Sequence, residues 1–465
     1  MPEMSVGPYQ EVCFGPEGDT DGAELARLLA LDCTDLVMFA HGRNNSSGEA
    51  TRLFSSFFAP FPELLEPGVR MAYAGIVWPS MRFMDEPIPE VDAVANGVPP
   101  VVAALPWEKR TVRHGQRWDE HPALDSATRL ALQGLFPGHG ETVARLAALL
   151  EARPGEAEAF LEFGRLTRRL AQAPPGGLGN CFGQDLPHDE QGPPALLYED
   201  ALTLCREFAA ALGAARPGGT ALRTGHGVRA AAGPRPGTGA PRSGTDPLWH
   251  GARELLRQTT YYALKRRAGA VGELGLGPLL GRLARCRPEL RVHLVGHSQG
   301  ARLVAFALRG LPDGVRNVKS VTLLQGAFSH YAFAPSLPHA AQWSGALRAM
   351  EYRVDGPVVA CYSRYDSALG VLYPLASRLA RDERNGFGRD RRWWAVGHDG
   401  LRAVSSPSVR LTLAEALGQG MPRSGYVNVD TAAVVRHGAP PSGAHDDICH
   451  RELARVVVAA GRVGH

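Results

Sequence analysis

Short runs of apolar residues recur along the chain, each stopped by glycine, proline or a polar turn. Leu36–Ala40 stops at His41-Gly42, Met71–Trp78 at Pro79, and Arg291–Val295 at Gly296. Val318–Leu324 stops at Gln325-Gly326, and Pro357–Tyr362 and Tyr426–Val429 complete the series. Runs of this length with little polar alternation fit strands buried on both faces. Between several of them the pattern turns helical, as over Glu24–Leu31 and Ala301–Leu308. Strands alternating with helices predict an α/β fold: a mostly parallel sheet with helices on both faces.

The spacing of the runs is uneven. Residues 79–290 separate the second strand from the third, far more than a crossover helix needs. Within that stretch Glu141–Ala152, Glu156–Ala173, Glu199–Ala214 and Leu248–Ala268 carry helical patterns. Residues 216–247 are rich in Gly, Pro, Ala and Arg without periodicity and read as a flexible loop. The expected division is a core from residues 1–80 and 290–465 with a large helical insertion over 81–289. Such an insertion serves either as a cap over the active edge of the sheet or as decoration away from it.

Composition narrows the function classes. The chain has 465 residues, 44% hydrophobic and 21% charged, enough for a large core. Fifty basic residues against 47 acidic ones give a net charge of +3; so even a balance does not favour nucleic acid as a partner. No apolar stretch approaches the roughly 20 residues of a membrane helix, and Met1–Gln10 lacks the pattern of a secretory signal. The cysteines are scattered without a CxxC pair and read as reduced thiols. These features together give the expectation of a cytoplasmic protein without an integral membrane segment.

The most informative segment is Val292-His293-Leu294-Val295-Gly296-His297-Ser298-Gln299-Gly300-Ala301. It places a GxSxG pentapeptide between an apolar strand and a helix that begins with small residues. A serine on such a sharp turn projects its oxygen from the C-terminal end of the strand. Gly296 and Gly300 remove side chains where strand and helix would collide. The N–H groups of the new helix favour developing negative charge nearby. Ser298 is therefore read as a nucleophile; its alternative is a turn serine capping the helix. His445-Asp446-Asp447 and His398-Asp399 lack the spacing of HExxH or a second ligand cluster, so no metal is expected. Neither a GxGxxG after a strand nor a GxxxxGK[ST] is present, and no cofactor is expected.

Through this strand-turn-helix the chain resembles the α/β-hydrolase superfamily, over about residues 30–80 and 290–460 but not over the insertion. The resemblance implies an oxyanion loop after an early strand. Phe39-Ala40-His41-Gly42-Arg43 looks like the superfamily's His-Gly-X loop. By that likeness the main-chain N–H groups of Arg43 and Gln299 form the oxyanion hole, and His41 holds the loop. Arg43 and Asn44-Asn45 depart from the Gly-rich loops of many lipases, which weighs against bulky esters. The resemblance also implies an acid after a late strand, and Asp366 stands there; its alternative is a cap on a helix beginning at Ser367. The implied histidine is His445, which follows the last strand, with His398 as the second candidate. His437 and His450 read as surface or helix residues.

The expected activity is carboxylic ester hydrolysis of a small-molecule acyl substrate through an acyl-enzyme. Thioesterase, peptidase and acyltransferase chemistry would use the same residues, and a non-enzymatic ligand-binding protein is the reading from another class. Trp249, Tyr261 and Tyr262 either line an enclosed pocket or pack the core.

Overall fold

The computed structural model describes residues 4–44, 46–83, 123–173, 184–186, 199–214, 246–373, 394–405, 407–438 and 442–464. The strands are β1 (Tyr9–Cys13), β2 (Asp35–Ala40), β3 (Met71–Val77), β4 (Arg291–His297), β5 (Val318–Leu324), β6 (Pro357–Tyr362), β7 (Ser408–Thr412) and β8 (Gly425–Asp430). They form one eight-stranded sheet in the order β1-β3-β2-β4-β5-β6-β8-β7, and every neighbouring pair is parallel. The protein is thus an α/β fold.

Among the described residues the helices are α1 (Glu24–Leu29), α2 (Ser47–Phe58), α3 (Ser126–Leu135), α4 (Gly140–Ala152), α5 (Ala157–Ala171), α6 (Ala201–Ala214), α7 (Asp246–Ala270), α8 (Gly277–Cys286), α9 (Gln299–Gly310), α10 (Val396–Asp399), α11 (Leu413–Gly418) and α12 (Arg451–Gly461). Side chains of a strand alternate between faces, and here the alternation divides the core in two. Leu36, Met38 and Ala40 of β2 join Leu294 of β4, Val321 of β5 and the helices α1 and α3–α9 on one face. Val37 and Phe39 join Val295, Val359 and Val427 with α2, α11 and α12 on the other. No described helix is long and apolar enough to cross a membrane.

Among the described residues, the helices of the 81–289 stretch pack into the same apolar cluster as one face of the sheet. Trp249 of α7 stacks on Phe160 of α5, with ring centroids 4.4 Å apart, and both belong to the cluster that reaches the sheet. Core packing is thus the role found for Trp249. Helix α7 begins at Asp246, so the last two residues of the expected 216–247 loop are helical, while residues 216–245 lie outside the described residues.

A buried ionic cluster fastens this layer to α9. Asp185, 1% exposed, accepts from Lys265 Nζ of α7 at 2.6 Å and Arg302 Nε of α9 at 3.0 Å. It also accepts from Ser329 N at 2.9 Å. Burial alone would raise its pKa, but the two cations hold it down at about 2. An uncompensated buried charge is costly, so removing one partner hurts more than the pair stabilises. Asp185→Asn keeps the shape and removes the negative charge that faces Lys265 and Arg302. The expected loss is about 3–5 kcal/mol, read as a lower urea midpoint at pH 7; an unchanged midpoint contradicts this role.

Candidate active site

β4 runs straight into Ser298, whose backbone sits at φ 56°, ψ −117°. That is a region L-residues avoid, at a cost of order 1–3 kcal/mol. The turn is held from the neighbouring strand: Ser298 N donates to Leu324 O at 3.0 Å, and Ala327 N donates to Ser298 O at 3.1 Å. A Cβ at Gly296 would overlap the Gly300 carbonyl, and one at Gly300 would overlap the carbonyl oxygens of Ala40 and His41. Neither position has room for a side chain. Ser298 occupies the N-cap position of α9, yet its side chain makes no capping bond. The hydroxyl goes elsewhere.

It goes to His445. His445 Nε2 lies 2.8 Å from Ser298 Oγ, and its Nδ1 lies 2.7 Å from Asp366 Oδ2. A carboxylate at Nδ1 keeps the proton on that nitrogen, which leaves Nε2 to accept the serine hydroxyl. All three residues are buried. Burial pulls the His445 pKa down, but the Asp366 charge and hydrogen bond, with Asp446 adding, outweigh it and the net shift is upward. Asp366 Oδ1 also accepts from Leu369 N at 3.0 Å, so the same carboxylate meets both the His445 ring and the start of the following helical turn.

The loops carrying these two groups are laced together. Ala444 N donates to Tyr365 O at 3.0 Å and Ala368 N to Ser442 O at 3.1 Å. Gly443 has φ +61°, and a Cβ there would overlap the Tyr365 carbonyl, so this crossing requires glycine.

His398 is not part of the arrangement. Its ring packs against Gly370 and Trp394, and it makes no bond to Ser298. His437 and His450 both approach Asp447, at 3.5 and 2.8 Å.

The His41–Arg43 loop reaches Ser298 through Gly42, where a Cβ would lie 2.9 Å from Ser298 Cβ. His41 holds the loop: its Nδ1 is 2.8 Å from Gly42 O, and its ring stacks on Trp78 at 5.8 Å. Trp78 Nε1 donates to His41 O at 2.9 Å. Ser80 Oγ accepts from Asn44 N at 2.9 Å and donates to Asn44 O at 3.0 Å. Asn45 lies outside the described residues. Gln299, as the first residue of α9, presents a main-chain N–H that has no acceptor within the helix.

Sequence reading does not single out Trp78, Gly443 or His297. Trp78 appears only as the end of a strand run, and Gly443 as one of many glycines. His297 fills a variable position of the pentapeptide, yet its Nε2 lies 2.9 Å from His445 O. The side chains of Gln299 and Gln325, fully buried beside Ser298, have no hydrogen-bond partner among the described residues. Burying such groups without a partner is costly, so each calls for a physical reason. Tyr261 donates its hydroxyl to the carbonyl oxygen of Ala327 at 2.7 Å, the residue whose N–H braces Ser298.

Among the described residues one group could approach a cation: His297, His445 and Asp446, with ligand atoms within 4.8 Å of one another. Both ring nitrogens of His445 and Nε2 of His297 already have partners, so a metal would have to break the Ser298–His445–Asp366 chain or its anchor.

No protein-family model, no curated protein and no solved structure matches this chain.

Four buried imidazoles make the fold sensitive to acid. Burial lowers the pKa of His41 to about 4 and of His297 to about 3, and it also lowers His293 and His330. In the unfolded chain each titrates near 6.5. Below that pH the unfolded chain takes up protons that the folded one refuses, so stability falls as pH falls; His445, shifted upward, acts in the opposite sense. The urea midpoint should therefore drop between pH 7 and pH 5, reflecting a loss of unfolding free energy on the order of 2 kcal/mol per imidazole held neutral throughout. A midpoint that stays flat or rises contradicts the buried neutral state.

Proposed function

We propose that the chain is a serine hydrolase of the α/β-hydrolase type that cleaves a carboxylic ester. The observation that carries this reading is the unbroken hydrogen-bond chain from Ser298 Oγ through His445 to Asp366. It stands at the C-terminal edge of a parallel sheet, where α/β folds keep their sites. In the reaction His445 Nε2 takes the proton as Ser298 Oγ attacks the carbonyl carbon. The carbonyl oxygen becomes an oxyanion and accepts from the main-chain N–H groups of Arg43 and Gln299. The intermediate collapses, the C–O bond breaks, and the alcohol leaves with the proton from His445. Water, activated by the same imidazole, then releases the acid and restores Ser298.

Asp366 keeps His445 in the right tautomer and stabilises its cation. The partners proposed for the protein are small-molecule acyl substrates. The 81–289 insertion is proposed as a cap. Helix α7 supports this by touching the segments on both sides of Ser298, through Tyr261 to Ala327 and Arg267 Nη1 to Pro79 O at 3.1 Å. Thioester, amide and acyl-transfer chemistry would use the same three side chains. A non-enzymatic binding site has no need of them. A cytoplasmic setting belongs to the same proposal; the exposed free thiols of Cys13 and Cys286 suit a reducing compartment.

A fluorophosphonate probe should label the wild-type chain and leave Ser298→Ala unlabelled. Persistent labelling of that variant would remove Ser298 from the role of nucleophile. Because His445 must be neutral to act as base and its pKa is shifted upward, the labelling rate should rise with pH along a titration curve displaced to the alkaline side of an ordinary imidazole and then level off. Asp366→Asn should slow ester turnover by on the order of 10⁴-fold. A rate independent of pH from 5 to 8, or an unaffected Asp366→Asn, would contradict the assignment of base and orienting acid.

A further inference from the structure

We infer that His297 is a positioning residue: its ring ties the turn that carries His445 to the strand end that carries Ser298. The inference rests on the hydrolase reading of that site and adds a residue to it. His297 is the last residue of β4, covalently next to Ser298. Its Nε2 donates to the main-chain oxygen of His445 at 2.9 Å, and the two rings lie 5.1 Å apart at 43°. Asp446 Oδ1 is 3.9 Å from the same nitrogen. On the other side, a Cβ at Gly42 would lie 3.0 Å from His297 Nδ1. The imidazole is therefore a spacer, with the His41–Arg43 loop on one side and the His445 turn on the other.

The geometry has a chemical consequence. Ser298 and His445 are 147 positions apart in the chain, and proton transfer needs their side chains at hydrogen-bond distance. A displacement of about 1 Å can cost roughly 100-fold in rate. The bond from His297 fixes the main chain of His445 relative to the residue that precedes Ser298, so both reacting partners share one reference point. The charged and titratable groups facing the ring are His445, Asp446, His41 and Arg43. Burial keeps the ring neutral among them, so no second cation appears beside His445 when it takes up the serine proton.

The test uses the full chain with four substitutions. His297→Gln places an amide nitrogen near the position of Nε2 and keeps the donor. His297→Asn keeps polarity but falls short of the carbonyl. His297→Leu and His297→Phe keep bulk without a donor. Fluorophosphonate labelling of Ser298 is followed from pH 5 to 9, with kcat and KM on an ester substrate. The proton of the His445 Nδ1–H···Asp366 bond is read by NMR, which needs no turnover. Loss of the donor should lower the limiting labelling rate and kcat by about 10- to 100-fold with little change in KM, and should shift or broaden that proton signal. His297→Gln should restore most of both. Equal recovery in His297→Phe and His297→Gln, or a wild-type rate and signal in His297→Asn, would overturn the inference. If the wild-type chain carries the NMR signal but is never labelled, the hydrolase reading fails, and the NMR comparison alone then decides whether His297 holds His445.

Discussion

Ser298 holds a left-handed backbone that its side chain does not favour, and the surrounding structure keeps it there. The Leu324 carbonyl accepts its N–H, and the Ala327 N–H donates to its carbonyl. Gly296 and Gly300 allow β4, α9 and the end of β2 to close around it with no side chain in the way. The strain is what aims the hydroxyl at His445 instead of at the helix it begins. Without that turn the serine would be an ordinary N-cap, and the histidine beside it would have no hydroxyl to accept.

The rest of the site is brought to this point by contacts between the loops that follow the strands. The Asp366 and His445 loops cross at Gly443, and the His41 loop is pinned by the side chains of Trp78 and Ser80 in the segment that follows β3. Each loop follows a strand of the same parallel sheet, so all open at one edge. A parallel sheet with two buried faces is a stiff support for such loops. The Asp185–Arg302–Lys265 cluster extends that support from α9 into the helical layer contributed by the insertion.

The central strands were legible because burial on both faces writes them as apolar runs: β2, β3, β4, β5, β6 and β8 all lie where those runs lie. The edge strands were not. β1 contains Gln10 and Glu11 and is mostly half-exposed, and β7 alternates Ser408, Arg410 and Thr412 outward. Their pairing comes from neighbours, not from their own hydrophobicity. Helix α2 was missed although Ser46 accepts from Glu49 N at its start and Phe54, Phe57 and Phe58 face inward, which is a readable N-terminal signature. Ser298, Asp366 and His445 were legible as an order along the chain, and the structure brings those three together and leaves His398 apart. His297, Trp78 and Gly443 were not legible, because each acts through a contact with a residue far away in sequence. One chain cannot mark such a contact.

The central claim is that one serine takes an acyl group with His445 as its base. Rapid mixing of the full chain with p-nitrophenyl acetate, followed by quenching in acid and peptide mass mapping, tests it most directly. The expected result is a burst of p-nitrophenol close to one per chain, with an acetyl group on the peptide containing Ser298, and loss of the burst in His445→Ala. Turnover without an acetylated intermediate, an acetyl group on another residue, or an undiminished burst in His445→Ala would contradict it.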